Sequence, residues 1–240
     1  TIAGRSLVSG AGFMAETVKA VSQGKDCKGI LSEKELTRNL PAKTVRRMKR
    51  LPRMVLSLGM DAWENSGLKE GPGSLFFGTG WGSLSETFNF MTQLIDSDDQ
   101  FASPTDFIGS VHNASAGQAA IQFQATGPNI TTTGGNYSFE QALLTASLLS
   151  RGSDAPVLVI GGDESHETLS PLFDPSAPED TARSDGGGAL LLKRGAEFSG
   201  MNLSPIFLEK SCGDGSTIRG LISSFGGPKN LNDQYGALFA

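Results

Sequence analysis

Hydrophobic and polar positions along this chain form two kinds of pattern. Short apolar runs bounded by Gly, Pro or Ser predict buried strands, whereas apolar residues at every third or fourth position predict amphipathic helices. The pattern predicts strands at 2–8, 74–79, 129–133, 156–161 and 188–193. It predicts helices at 13–23, 43–66, 82–95, 113–123 and 138–150. Strands that alternate with helices in this way indicate a layered α/β fold, with helices on both faces of a sheet.

The longest predicted helix, 43–66, contains a proline. Pro52 lacks the backbone N–H that a helix interior needs, and its ring clashes with the preceding turn. We therefore expect a kink or a break near Pro52. Gly67 is suited to end the helix, because glycine adopts the left-handed conformation common after a helix C-terminus.

The segment 127–143, GPNITTTGGNYSFEQAL, predicts a strand, a tight turn and the start of a helix. Gly134 and Gly135 permit a cramped turn, and the helix N-terminus offers free N–H groups and positive potential to an anion or an acyl oxygen. This arrangement is typical of a nucleophile elbow, where a Ser or Cys usually stands on the turn. Here the turn residue is Asn136, whose amide is not a nucleophile. Asn136 could instead be a turn residue that only tolerates a left-handed backbone.

Composition and charge exclude several classes of protein. The net charge is −5 and the calculated pI is about 5.1, without a basic block, so a nucleic-acid partner is not expected. The 240 residues suffice for one large domain or two small ones. No apolar run approaches the length of a membrane span and no secretory signal is evident, so we expect a cytoplasmic protein. Cys27 and Cys212 form neither a disulfide framework nor a metal site.

Acidic and imidazole side chains follow the predicted strand at 156–161. They are Asp163, Glu164, His166 and Glu167. Their spacing matches no dependable metal site, so we predict no bound metal and interpret the segment as a solvated loop. The other histidine, His112, is interpreted as a hydrogen-bonded structural residue.

Six segments, together with the elbow, resemble the β-ketoacyl synthase branch of the thiolase-like fold, and they occur in the same order. They are IAGRSLVSGAG, RRMKRLPRMVLSLGMDAWENSGL, SLFFGTGWGSL, PTDFIGSVHNASAGQAAIQFQATGP, VLVIGGDES and FDPSAPEDTARSDGGGALLLKR. The resemblance covers residues 1–195. It implies a thiolase-like αβα sandwich: the N-terminal half of the duplicated fold at 1–200, and a truncated remnant of the C-terminal half at 201–240.

The departures from this family bear on function. The resemblance puts Asn136 at the nucleophilic cysteine. The stretch FGGPKNLNDQYGALF is similar to the one that holds the family's first catalytic histidine, and it puts Phe225 at that position. The segment with the second histidine is missing from the sequence. Condensation in this family needs a thiolate and two imidazoles, so we expect a chain without catalytic residues for condensation.

Some synthases of this family are heterodimers of an active subunit and a degenerate partner, the chain-length factor. The resemblance therefore implies a non-catalytic chain-length factor in fatty acid or polyketide biosynthesis, similar to the truncated partners of aryl polyene synthases. The implied partners are a full-length catalytic ketosynthase and an acyl carrier protein, whose phosphopantetheine arm tethers the substrate; no other cofactor is implied. Two alternatives remain: a malonyl-carrier decarboxylase that uses Asn136 as an oxyanion donor, and a structural homodimer.

The resemblance also implies a dimer interface and cavity. The family residue that reaches into the partner's pocket lies 26 positions before the nucleophile, which is Ser110 here. The implied cavity and interface residues are Ser110, Val111, His112, Asn113, Ala116, Asn136 and Tyr137. A basic concentration in the 43–66 helix predicts a docking surface for an acidic carrier protein, with a solvated helix face as the alternative. The concentration also includes Lys43 and Lys49, and the residues predicted to dock the carrier are Arg46, Arg47, Arg50 and Arg53.

Overall fold

A computed structural model describes residues 1–46, 48–100, 103–150, 152–173 and 183–195. Within it, Ala3–Arg194 form one compact unit. The predicted remnant at 201–240, Phe225, Cys212 and Arg47 lie outside the described residues, so the expectations about them stay predictions.

The described strands form one sheet of six. They are β1 (Ile2–Ser9), β2 (Gly12–Phe13), β3 (Ser74–Gly78), β4 (Asn129–Thr132), β5 (Val157–Asp163) and β6 (Gly186–Leu192). Their order across the sheet is β2-β1-β6-β5-β3-β4. Strand β3 runs parallel to both β4 and β5, whereas β5 and β6 are antiparallel. Nearly every residue of β3 and β5 is buried, as expected for central strands covered on both faces.

Nine α-helices and one 3₁₀ helix accompany the sheet in the described residues. They are α1 (Met14–Ser22), α2 (Glu33–Leu36), α3 (Ala42–Val45), α4 (Arg50–Ser66), α5 (Leu84–Asp96), α6 (Pro104–Ser110), α7 (Ala114–Phe123), the 3₁₀ helix η1 (Gly135–Tyr137), α8 (Ser138–Leu149) and α9 (Ser170–Phe173). None of the described helices combines the length and the apolar character needed to cross a bilayer.

Alternate residues of the central strands pack against different helices. Leu75, Phe77 and Ile160 belong to a large core that includes residues of α4 and α7. Phe76 and Val159, on the opposite face, belong to a smaller core with residues of α8. Successive side chains of a strand point to opposite faces of the sheet, so this alternation is expected. It confirms the αβα layering that the sequence predicts.

The predicted helix at 43–66 is two helices, α3 and α4. Because α4 begins at Arg50, Pro52 lies in its first turn, where the backbone N–H groups have no partner within the helix and proline is tolerated. The break therefore precedes the proline. The predicted end is correct, since Gly67 follows α4 with φ of 67°.

Candidate functional site

The elbow joins β4 to α8 through a tight turn. Gly135 has φ of 57°, a conformation that favours glycine. The Ser138 hydroxyl accepts the N–H of Gly134 (2.9 Å) and donates to the carbonyl of Gly135 (2.7 Å), which holds the turn closed. Asn136 lies on η1 at the turn and is exposed, as is Tyr137 beside it. The strand, turn and helix predicted for 127–143 are thus present, with the side chain of Asn136 on the turn.

Asn136 lines a cleft of about 410 Å³ near the carboxyl ends of β3 and β5. This end of parallel strands is where α/β folds usually bind ligands. Glycines of β3, β5 and β6 form much of the wall, and the larger side chains that line it are Trp81, Phe139, Asp163 and Ser184.

Two of the wall glycines permit α8 to begin directly against the sheet. A Cβ on Gly78 would overlap the backbone carbonyl of Ser138, and a Cβ on Gly161 would lie 2.6 Å from Cδ2 of Phe139. Real Cβ atoms do not approach this closely, so any larger residue would push the start of α8 outward. The glycines therefore determine how close Asn136 lies to the strand ends.

Asp163 organises the turn between β3 and α5. Its carboxylate accepts the hydroxyl of Thr79 (2.6 Å) and the N–H groups of Gly80 (3.0 Å) and Trp81 (2.9 Å). Thr79 in turn accepts the N–H of Gly82 through its hydroxyl oxygen at 2.9 Å. One carboxylate thus fixes the position of Trp81 at the cleft.

The interpretation of this segment as a solvated loop is wrong for Glu164. Its side chain is buried and accepts both the N–H (2.9 Å) and the hydroxyl (3.0 Å) of Ser85. Burial, with a smaller contribution from the charge of neighbouring Glu86, raises the pKa of Glu164 to about 7. Glu86 on α5 is buried as well, and burial raises the pKa of its carboxyl.

The interpretation is also wrong for His166, which is half-buried. Its ring packs 4.7 Å from the ring of Phe88, between centroids. Its Nδ1 accepts the N–H groups of Thr168 and Leu169, each at 3.2 Å. Burial lowers the pKa of this imidazole, and acceptance at Nδ1 puts the proton of the neutral ring on Nε2. His166 therefore stabilises a loop. No group of three or more metal-ligating side chains occurs among the described residues.

The residues at 110–113, which are predicted to face a partner, differ in exposure. Ser110 ends α6, half-buried, and donates its hydroxyl to the carbonyl of Phe107 at 2.8 Å. Val111, His112 and Asn113 are exposed, and the ring of His112 lies close to Gly82.

The prediction that Ala116 lies at a partner interface is wrong. Ala116 is fully buried and belongs to the same core as residues of α4. The small residues of α7 allow that helix to pack closely on α4, so the Ala116 side chain faces the interior of its own chain and cannot contact a partner.

The basic residues predicted to dock a carrier protein also differ from one another in exposure. Arg46 is exposed and lines a second cleft of about 760 Å³ together with Lys43 and Ile121. Arg50 instead forms an ion pair with the buried Asp185, and Arg53 pairs with Glu33 at 2.8 Å. Both guanidinium groups are mostly buried, since α4 begins anew at Arg50 and its first turn faces inward. The prediction that Arg50 and Arg53 dock a carrier protein is therefore wrong.

The sequence is matched by a known family. The family model described as the β-ketoacyl synthase N-terminal domain matches residues 22–203. The chain therefore belongs to the β-ketoacyl synthase family, which confirms the resemblance inferred from the sequence. No curated protein matches the chain at a significant level.

Solved structures share the fold. The ishigamide ketosynthase/chain length factor is 22% identical, with a TM-score of 0.66 over 83% of this chain and 63% of that chain. A ketosynthase (ApeO) in complex with its chain length factor (ApeC) from Xenorhabdus doucetiae is 21% identical, with a TM-score of 0.61 over 82% of this chain and 79% of that one. A β-ketoacyl synthase from Burkholderia phymatum is 17% identical, with a TM-score of 0.62 over 80% and 58%. This chain thus spans less than two thirds of the first of these relatives. The thiolase-like fold class predicted from the sequence is confirmed.

Proposed function

We propose that this chain is a non-catalytic chain-length factor in a heterodimeric β-ketoacyl-carrier-protein synthase. The observation that supports this most is Asn136, which lies on an intact elbow where the resemblance puts the family's cysteine. An amide can donate and accept hydrogen bonds, but it cannot form the acyl-thioester that condensation requires. Two of the solved structures with this fold are ketosynthases with chain length factors, which is consistent with the proposal.

A subunit of this kind needs a surface for its partner. Strand β4 lies at the edge of the described sheet, and an edge strand presents backbone groups that proteins usually cover. Nearby in the chain, Phe107, Ile108 and Ile121 are each more than half exposed. Exposed apolar side chains of this number mark interfaces in soluble proteins. The proposed partner is a full-length ketosynthase that supplies the cysteine and both histidines.

The proposed substrate is an acyl or polyene chain on the phosphopantetheine arm of an acidic carrier protein. A solved neighbour that is 15% identical, with a TM-score of 0.66, contains an acyl-carrier protein in complex with its ketosynthase. On this chain, the exposed basic cleft with Lys43 and Arg46 suits an acidic carrier. Fatty acid, polyketide or aryl polyene elongation is the proposed pathway class.

The proposal predicts that all covalent acylation occurs on the partner. When the reconstituted complex is incubated with acyl-carrier protein, mass spectrometry should find the acyl group on the partner's cysteine and none on residues 134–138 of this chain. As a control for access, Asn136→Cys should be modified by a thiol reagent, because the position is exposed and a helix N-terminus favours the thiolate. An acyl adduct on the native elbow would refute the proposal. Decarboxylation of malonyl-carrier by this chain alone would favour the alternative function, a malonyl-carrier decarboxylase.

The proposal also predicts that Ser110 influences product length. Ser110→Phe adds a ring to a close-packed cavity wall, which cannot absorb that bulk without strain. Products of the reconstituted synthase should become shorter, whereas the first condensations continue because the partner's catalytic residues are unchanged. Product lengths are measured by mass spectrometry.

Ser147→Phe provides a matched control. Ser147 is exposed on α8 and donates to the carbonyl three residues earlier, Leu144, as Ser110 does to Phe107. This variant should leave product lengths unchanged. If Ser110→Phe preserves both turnover and length, Ser110 does not line the cavity.

A further inference from the structure

Two glutamates are buried where α5 meets the residues that follow β5. Glu86 is 2% exposed and Glu164 is 3% exposed. Glu164 is hydrogen-bonded to Ser85, whereas neither carboxyl oxygen of Glu86 has a hydrogen-bond partner among the described residues. A buried carboxylate without a partner is strongly unfavourable. Burial therefore favours the neutral form of the Glu86 carboxyl.

Charged groups from each neighbouring element act on this pair. Lys49 and Arg53, from the start of α4, favour ionised Glu86, whereas Asp106 on α6 opposes it. Arg50 favours ionised Glu164, and Glu86 opposes it. Arg50 and Arg53 are already paired with Asp185 and Glu33. Burial is the largest effect on both carboxyls, so the pKa of each is raised, that of Glu164 to about 7.

Helix α6 covers Glu86. A Cβ on Gly109 would lie only 3.1 Å from Cγ of Glu86. None of the residues of α6 is fully buried, and its ring contact with α5 joins Phe107 to Phe90 at 5.6 Å between centroids. Segments with few buried contacts open at low cost. Opening of α6 would give the Glu86 carboxyl access to water.

We infer that Glu86 is a proton-dependent latch that holds α6 closed when it is neutral and favours opening when it is ionised. The latch stands on the contacts of Glu86 alone. Its consequence for elongation rests on the proposed function, because α6 ends at Ser110 and opening would displace the residue proposed to enter the partner's pocket.

The direction of the pH effect follows from proton binding. In the closed state the pKa of Glu86 is raised, whereas in the open state it has the ordinary value of 4.5. The closed state therefore binds more protons, and closure is fully favoured below pH 4.5. It weakens as the pH rises above 4.5 and through the raised pKa of Glu86. Each proton released changes the opening equilibrium by at most about tenfold per pH unit.

Hydrogen exchange of the isolated chain tests the latch. Protection factors of residues 104–110, corrected for intrinsic exchange, should fall about tenfold or more between pH 5 and pH 7 in the unmodified protein. In Glu86→Gln, which keeps the shape without the charge, the fall should be about threefold or less. Glu64→Gln is the matched control, since Glu64 is exposed on α4, and it should behave as the unmodified protein does.

A flat profile in the unmodified protein, or an equal fall in Glu86→Gln, would overturn the latch. If Glu86→Gln does not fold, carboxyl ¹³C titration of the unmodified protein decides the question: titration of the Glu86 carboxyl above 4.5, over the same pH range as the fall in protection, supports the latch, and an ordinary value for Glu86 refutes it. Both measurements use this chain without a partner. Failure of the latch is therefore distinguishable from failure of the proposed heterodimer, which the acylation experiment tests separately.

Discussion

Asp185→Ala should lower the free energy of unfolding by about 3–5 kcal/mol, a large part of the stability of an ordinary domain. The Asp185 side chain is fully buried and pairs with Arg50. It also accepts the N–H groups of Leu31 and Ser165, each at 2.9 Å. Alanine would leave a mostly buried guanidinium without its counter-charge and two amides without acceptors, and both losses are costly.

Urea unfolding followed by circular dichroism measures this effect. Asp26→Ala is the matched control, because Asp26 forms an exposed pair with Lys28 at 3.1 Å, and its midpoint should not move. If Asp185→Ala unfolds at the same urea concentration as the unmodified protein, the ion pair does not hold the start of α4 to the end of the sheet as described.

Gly78→Ala should destabilise the chain by about 1–3 kcal/mol and displace the elbow. The added Cβ would meet the backbone carbonyl of Ser138, which cannot rotate away as a flexible side chain could. The start of α8 must therefore move, and Asn136 moves with it. Thermal unfolding gives the change in stability, and exchange of residues 134–138 reports the local displacement.

Gly117→Ala makes the same chemical change in a different setting. A Cβ on Gly117, within α7, would meet nothing within 4 Å. Alanine is favoured over glycine inside a helix by roughly 0.5–1 kcal/mol, so this variant should be stabilised. The two substitutions are thus expected to have opposite signs, and equal effects would contradict the close approach of α8 to β3.

The long elements could be predicted from the sequence because their patterns repeat several times. Strands β3 and β5 and helices α5, α7 and α8 lie within a few residues of their predicted positions. Helices α2, α6 and α9 are four to seven residues long, so none completes enough turns to produce a periodic signal. The break between α3 and α4 was misplaced because a proline is tolerated in a first turn, and the sequence alone does not show where a helix begins.

The elbow was predictable because strand, glycines and helix are contiguous in the chain. The Arg50–Asp185 pair joins residues far apart in sequence, and no local pattern indicates which acid meets which base. The burial of Glu86 has no signal in the sequence, because the residue occupies an otherwise ordinary amphipathic helix. Ala116 was assigned to an interface because small residues suit any close contact, and only the packing of α7 on α4 shows that the contact lies within the chain.

Asn136 also bears on how a chain with the proposed function could acquire a nucleophile at the elbow. An asparagine codon becomes a cysteine codon only through two base changes, with serine or tyrosine as the intermediate. Serine at this turn would need a histidine base to attack a thioester, and the resemblance puts Phe225 at the position of the family's first histidine. Under the proposed function neither intermediate restores condensation by itself, because the partner is proposed to supply the cysteine and both histidines.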